Sequence, residues 1–550
     1  NVLEKKSIFL YDRKIDKERC FLKRNGIKYI IFIVIIGFIF GMAFLFYTNS
    51  SKKHENTIAE TEKKEEITML KDMRLGIAEY DTMNPIISKN KNIQSIAKLI
   101  FEPLLTLTED YKIENCLAKE WSKTGDNTYV LKLQEGIVWQ DGTEFTASDV
   151  KFTIEQIQQV DSIYTPQVAD ITSVEVVDVM TIKLTLSKEI PFFEYQLTFP
   201  ILSQKNWEGE DFMTSTKIPM GTGMYKIADI TAGNIYLEKN QNYWQKEEKN
   251  SKIESIAIHR YEKVGELYND FKLGNIDFIH TDSDILEDYI GTLGYHKKEN
   301  KGRALDFLAI NCQNQALSQK EVRQAIQYGI DKTGIINTIF QNKYESSNFP
   351  LDFGQYLYTE EKESVYDTAK VKQVLEENGW TLQSKVWQKR ENRTTLRLSF
   401  TLTVLETNEK RVQVAEAIRD SLEPLGIKLT VRKVSEKEYQ NILEKKNYEL
   451  LLTGIYSSFS PDLTYFLGEG NLAGYRNETA LQLLQEINDI TEQNLLQQKI
   501  QELANIYLED VPYICLYRNK ETTAYSQKLA GNVAGNCYNI FYHIEDWYRQ

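Results

Sequence analysis

The side chains best suited to holding a metal or attacking a substrate are dispersed along this chain. Histidines stand at His54, His259, His280, His296 and His543, with no pair at a ligand spacing. Cys20, Cys116, Cys312, Cys515 and Cys537 form no CxxC pair and no disulfide framework. A cysteine packed as a small apolar group needs no partner. The metalloprotease pattern HExxH, the nucleophile elbow GxSxG and the phosphate loop GxxxxGK-Ser/Thr are absent. Gly221-Thr222-Gly223 lacks the Lys-Ser/Thr ending and reads as a structural turn. With 79 acidic residues, a glycosidase built on a carboxylate pair is not excluded by motif alone. The count of 32 tyrosines is high: each offers an apolar ring with a polar tip, useful on a surface that binds varied ligands, though most are expected to be structural.

The elements that would position such residues are clearest from Leu117 to Thr153, LAKEWSKTGDNTYVLKLQEGIVWQDGTEFTASDVKFT. Thr128–Leu133 alternates apolar and polar residues, which predicts a half-buried strand. Asp141-Gly142 predicts a tight turn. Thr146 or Ser148 caps a following helix, with Asp149 suited to its positive end. Trp139 is placed in the core beneath the turn. A strand is expected over Met69–Ile77 and a helix over Ile93–Leu105. Trp387, in the charged stretch Gln383–Arg393, is expected on a surface hairpin.

The chain's 550 residues suffice for two or three domains. A net charge of −13 argues against nucleic acid or an anionic membrane surface as partner. Tyr29–Tyr47, YIIFIVIIGFIFGMAFLFY, is long and apolar enough to span a bilayer. Nine Lys and Arg residues before it put the N-terminal residues in the cytoplasm and the rest of the chain outside. The run exceeds a signal-peptide core and no Ala-x-Ala site comes after it, so an uncleaved anchor is expected. The polar stretch 49–67 reads as a flexible spacer.

The block 117–153 resembles the signature region of the extracytoplasmic solute-binding proteins of peptide- and nickel-type ABC importers (family 5). That family's LA-x-x-W, Thr-Tyr-x-Phe/Leu-x-Leu, Gly-x-x-Trp-x-Asp-Gly and Ala-x-Asp-Val-x-Phe-Thr all stand here. Further segments match in order: Leu99–Leu105 (LIFEPLL), Ile218–Tyr225 (IPMGTGMY, with Met224 where Pro is usual), Asn240–Trp244 (NQNYW), Phe271–Asp277, Phe307–Asn311, Val322–Ile326 with Ile330–Lys332, and Tyr366–Trp380. A lipid-anchoring Cys is common after the apolar run of Gram-positive members. No Cys lies between Cys20 and Cys116, and a transmembrane helix would take the lipid's place.

The resemblance implies an α/β fold, the two-lobed periplasmic-binding-protein fold (type II, three-domain peptide-binding type), after an N-terminal transmembrane helix. The expected organisation is 1–28 cytoplasmic, 29–47 anchor, 48–67 linker, domain I from 68–105, 184–304 and 516–550, domain II 106–183 and domain III 305–515. The chain would cross between lobes near Leu305 and Tyr517, with the ligand in the cleft. The implied function is a non-enzymatic, membrane-anchored, extracytoplasmic subunit that captures a peptide or small polar solute and delivers it to ABC permease subunits. It would have a monomeric ectodomain, no cofactor, no metal and no nucleic-acid partner. A peptide-sensing receptor on the same fold, uncoupled from import, is the alternative; an extracellular hydrolase is the remote one.

In peptide-binding members an Asp-Tyr-x-x-Pro segment of domain III supplies an Asp for the peptide's α-amine. Here Gly454–Leu463 carries Ser458-Phe459 in place of Asp-Tyr, with Asp462 a few residues away. Without that carboxylate a charge-assisted bond to the ammonium is lost. The ligand would then be a blocked peptide, a sugar or another polar solute, unless Asp462 compensates. The expected cleft residues are Asn84, Tyr456, Ser457, Ser458, Phe459, Asp462 and Tyr517.

Overall fold

The computed structural model describes residues 70–550 except 284, 354–355, 359–365, 491 and 534. The expected anchor 29–47 and its flanks 1–28 and 48–67 lie outside the described residues. Among the described residues no helix is long and apolar enough to cross a membrane.

The signature block folds as its pattern requires. Thr128–Leu133 is a strand whose alternate residues Tyr129, Leu131 and Leu133 are buried. The helix Ala147–Gln159 starts at Thr146, whose N–H and hydroxyl both donate to Asp149 Oδ2, at 2.9 and 3.3 Å. The other oxygen, Oδ1, accepts from Gln204 N–H at 2.8 Å, so one carboxylate caps the helix and holds a second segment. Gly142, at φ +82°, closes the turn with its N–H on the Trp139 carbonyl, and Trp139 is buried beneath. Thr128–Leu133 belongs to a separate antiparallel four-stranded sheet, in order Ala118–Gly125, Thr128–Leu133, Thr181–Leu186, Ile171–Asp178.

The first strand is Asp72–Ala78, and the helix expected over Ile93–Leu105 is Lys91–Ile100. It starts at Asn90, whose side chain accepts from Asn92 and Ile93 N–H, and it stops early for a local reason. Pro103 has no N–H to give the Leu99 carbonyl, and it favours extended backbone before it. The Ile100 carbonyl instead accepts from Gly223 N–H at 2.9 Å. A Cβ on Gly221 would stand 1.8 Å from that carbonyl oxygen, so the GTG turn lies directly against the helix end. Asn240 Nδ2 holds the Gly223 carbonyl, and Trp244 Nε1 donates to Glu102 Oε2 at 2.9 Å. Three distant motifs thus meet at one buried knot.

The principal sheet has eleven strands among the described residues. Its order is Lys428–Val434, Ser399–Leu405, Leu450–Tyr456, Tyr295–Ile310, Tyr513–Ser526, Phe278–Thr281, Asp72–Ala78, Ser255–Tyr261, Asn234–Lys239, Tyr225–Thr231, with Tyr344–Ser346 beside Tyr513–Ser526. Two long antiparallel strands, 16 and 14 residues, join its halves. Tyr295–Lys301 pairs with Lys520–Ser526, and Leu305–Ala309 with Tyr513–Arg518; the register breaks between Lys301 and Leu305. Helices Lys320–Gly329 and Glu409–Leu422 contribute to the apolar core on one face of the Leu450–Tyr456 half. Gln493–Asp510 packs with aromatic residues in another core. Residues 381–397 form a small three-stranded sheet, as the hairpin reading expects, but Trp387 is buried, its Nε1 donating to the Leu425 carbonyl at 2.7 Å.

Candidate functional site

The register break sets the geometry of the candidate site. Residues 302–304 leave the regular ladder, and Asn519 Oδ1 accepts the freed Ala304 N–H at 3.0 Å. Gly302 lies so close that a Cβ there would stand 2.1 Å from that oxygen. The break turns Arg303 toward the loop after strand Leu450–Tyr456. Its Nε donates to the Ser457 carbonyl at 2.6 Å, and its carbonyl accepts Ser457 N–H at 2.8 Å. The guanidinium lies over the Phe459 ring at 3.7 Å and the Tyr456 ring at 4.6 Å.

From Phe459 an aromatic wall extends across the molecule. Tyr111 stacks on it with centroids 5.1 Å apart, and Tyr538 meets it edge-on at 5.4 Å. Above Tyr538, at 3.5 Å, stands the ammonium of Lys98, from the helix Lys91–Ile100. Nearer that helix's start, Lys91 approaches the Tyr456 ring at 5.5 Å and pairs with Asp282 at 2.5 Å. The cluster therefore draws on both halves of the sheet: the Lys91–Ile100 helix and the C-terminal Tyr538 on one side, the Tyr456–Phe459 loop on the other, and Arg303 on the strand between.

Its electrostatics are unusual. Burial, then the nearby Arg303 charge, pulls the Lys98 ammonium down to about 7. Burial likewise lowers Arg303. Glu521, a buried acid that acts electrostatically on Arg303, is engaged by His280 at 3.6 Å. Burial pushes its carboxyl up, but His280, Cys537 and Lys91 together outweigh that and hold it below the usual range. The result is a cationic spot on an aromatic floor, which suits binding a polar or anionic group.

The expected cleft residues fall in different places. Tyr456 is exposed and Phe459 half-buried, and both line the cluster. Ser457 is buried; it anchors Arg303 through its backbone, and its hydroxyl accepts from Arg518 Nη1 at 3.0 Å. Ser458 is exposed, its hydroxyl accepting from Ser460 N–H. Asp462 accepts from Thr464 N–H at 2.8 Å, a local turn. Tyr517 is buried against Phe340 and Tyr344, and its hydroxyl donates to Asp306 Oδ2 at 2.9 Å. Asn84 is buried in the loop before the helix. Its Oδ1 accepts Ile86 N–H, and its Nδ2 has no partner among the described residues. Lys98, Arg303, Tyr111 and Tyr538 escaped the sequence reading. The one signal for Lys98 was a charge inside the apolar run Ile96–Phe101.

Among the described residues no cluster of three or more His, Cys, Asp or Glu is arranged to hold a metal ion. A crevice of about 690 Å³ opens elsewhere, beside the 381–397 hairpin, lined by Leu382, Val386, Glu423 and Lys428 among others. It is distant in the fold from the strands that join the sheet's halves.

Comparisons with known proteins give this architecture a lineage. The chain is 23% identical over 513 residues to the oligopeptide-binding protein AppA of Bacillus subtilis (strain 168), covering 87% of this chain and 91% of that one. It is 21% identical over 443 residues to the nickel-binding protein NikA of Staphylococcus aureus, covering 78% and 85%. Among solved structures, the unliganded open form of the periplasmic murein tripeptide-binding protein MppA superposes with a TM-score of 0.73 at 17% identity, covering 87% of this chain and 97% of that one. A nickel ABC transporter structure from Bacillus halodurans gives 0.71 at 21% identity, covering 85% and 98%. The profile of bacterial extracellular solute-binding proteins, family 5 Middle, matches residues 112–471. The chain belongs to that family, the solute-binding proteins of peptide and nickel ABC importers.

Proposed function

We propose that this protein is the membrane-anchored capture subunit of an ABC importer, taking up a peptide or a similar small polar solute between two lobes and presenting it to permease subunits. The observation that carries this reading is the aromatic and cationic cluster at the register break, built from both halves of a sheet that two long strands join. Two such strands make a hinge. A solute touching both halves favours the closed arrangement by its differential contacts.

In this reading the Lys91–Ile100 helix and the C-terminal segment belong to domain I (68–105, 184–304, 516–550), the Tyr456–Phe459 loop to domain III (305–515), and the four-stranded sheet to domain II (106–183). Residues 29–47 anchor it, with residues 1–28 in the cytoplasm and the chain from 48 onward outside the cell. It performs no chemistry on its cargo. Of the expected residues, Tyr456 and Phe459 line the cleft; Ser458 flanks it; Ser457, Tyr517, Asn84 and Asp462 act at one remove, by holding backbone and core.

Native mass spectrometry of the full chain, purified in mild detergent, tests the proposal. Retained small-molecule or peptide adducts that raise the melting temperature on re-addition are expected, since a ligand of the native state stabilises it by mass action. Turnover of the cargo, or no ligand-dependent change with peptides, amino-acid complexes or sugars, would count decisively against it.

A further inference from the structure

The cations of the cluster differ from others in the molecule. Arg518 is paired with Asp352 at 2.9 Å, Arg411 with Asp306 at 2.7 Å and Arg74 with Asp277 at 2.9 Å. The buried Lys332 ammonium donates to the Ser347 carbonyl and Asn348 Oδ1, and Arg323 to the carbonyls of Leu317, Ser318 and Asp510. Lys98 has only the Tyr538 ring face, with no oxygen acceptor among the described residues. Arg303 spends Nε on Ser457 and keeps both terminal nitrogens free of acceptors among the described residues. Both side chains are only half-buried, so their polar ends still reach solvent. In a chain with 79 acidic and 66 basic residues, two adjacent cations with no carboxylate bonded to either among the described residues, the nearby Glu521 being engaged by His280, are an arrangement that an anion would complete.

We infer that Lys98 and Arg303 form an anion subsite: a carboxylate on the captured solute docks between them, against the wall of Tyr456, Phe459 and Tyr538. The inference rests on the solute-capture reading. The planar fork of Arg303, held flat on Phe459, presents two parallel donors that match a carboxylate, and Lys98 adds a point charge. A single negative charge suffices, because Glu521 and Asp282, already engaged by His280 and Lys91, would repel a dianion. Lys98 stands on the helix of one half and Arg303 is locked to the loop of the other, so the carboxylate would also draw the halves together. The lost partner of an α-amine in the Gly454–Leu463 segment fits the same scheme: orientation comes from the acid end of the ligand.

The carboxylate has two sources, a peptide C-terminus or a small organic acid, and the test separates them. Full-length protein is titrated calorimetrically with three probes: a pool of hexapeptides lacking Asp and Glu with free C-termini, the same pool amidated, and lactate, a monocarboxylate. Binding of the free-acid pool, with the amidated pool weakened roughly tenfold or more, identifies the C-terminus. Binding of lactate alone identifies an organic acid. In either case Lys98→Met and Arg303→Gln should each weaken the anionic probe roughly tenfold or more, while Lys98→Arg retains it. If Lys98→Met fails to melt cooperatively, Arg303→Gln and the amide comparison decide alone. Equal affinity for acid and amide, or unchanged affinity in the variants, overturns the subsite while leaving capture standing. No binding of any probe to the unaltered protein overturns both the subsite and peptide or organic-acid capture.

Discussion

Arg303 and Ser457 hold each other by two hydrogen bonds, Arg303 Nε to the Ser457 carbonyl at 2.6 Å and Ser457 N–H to the Arg303 carbonyl at 2.8 Å. A residue on a strand joining the two halves is thereby fastened to the loop that carries Tyr456 and Phe459. Movement at the register break must move the aromatic wall with it. Ser457 is in turn held by Arg518, whose partner Asp352 also accepts from Ser347 Oγ and Asn348 N–H. The candidate site is supported from beneath by a buried ion pair.

That pair gives the first prediction. Removing one member of a buried pair leaves the other charge uncompensated, at a cost of about 3–5 kcal/mol. Arg518→Met should destabilise by that order in urea unfolding. The double variant Arg518→Met with Asp352→Leu should recover much of the loss, since an apolar replacement of both leaves no orphan charge. A double variant no better than the single would show that packing, not charge, makes the site.

Lys98 yields a prediction in the opposite direction. Its folded-state value of about 7 lies below the ordinary 10.5, so the unfolded chain holds more protons between those pH values. Stability therefore rises with pH across roughly 7 to 10.5, and the penalty is full below about 7. Lys98→Met should remove that slope and, at pH 7 without ligand, stabilise by roughly 1–2 kcal/mol, a figure reduced because the ammonium keeps some solvent contact. Thermal melts of both proteins across about pH 6–10 check this, and a parallel pH dependence would refute it.

Glu102 has the converse linkage. Burial raises its carboxyl to about 7 despite the bonds from Trp244 and Tyr243. The folded state then holds the extra proton between about 4.5 and 7, so this group's contribution falls as pH rises through that window. Glu102→Gln keeps an acceptor for Trp244 and cannot ionise. The difference between variant and parent stability should shift by roughly 2–3 kcal/mol in the variant's favour from about pH 4.5 to 8, read from denaturant midpoints.

Two glycines separate space from backbone conformation. Gly221→Ala places a Cβ 1.8 Å from the Ile100 carbonyl, which is backbone and cannot rotate away. A loss of roughly 3 kcal/mol or more, or failure to accumulate folded protein, is expected. Gly142→Ala meets open space and only the strain of φ +82°, roughly 1 kcal/mol. Comparable losses in the two would refute the assignment of the GTG turn to close packing.

Local order was legible in the sequence. The alternation of Thr128–Leu133, the Thr146–Asp149 cap and the Asp141-Gly142 turn each depend on residues within a few positions, so pattern and turn chemistry specify them. The ordered motifs identified the family because each is a piece of scaffold. The limits were equally physical. Pro103 ends the helix after Asn90 locally, but that Gly223, far along the chain, takes the Ile100 carbonyl could not be read from the pattern. Trp387 is buried because the Gly426 turn and the Leu425 carbonyl receive it. Lys98 and Arg303 have no local signature: what distinguishes them is an acceptor that is missing from their surroundings. Only the tertiary structure, by bringing Lys98, Arg303, Phe459 and Tyr538 to one place with no carboxylate bonded to either cation among the described residues, decides that these cations are unpaired.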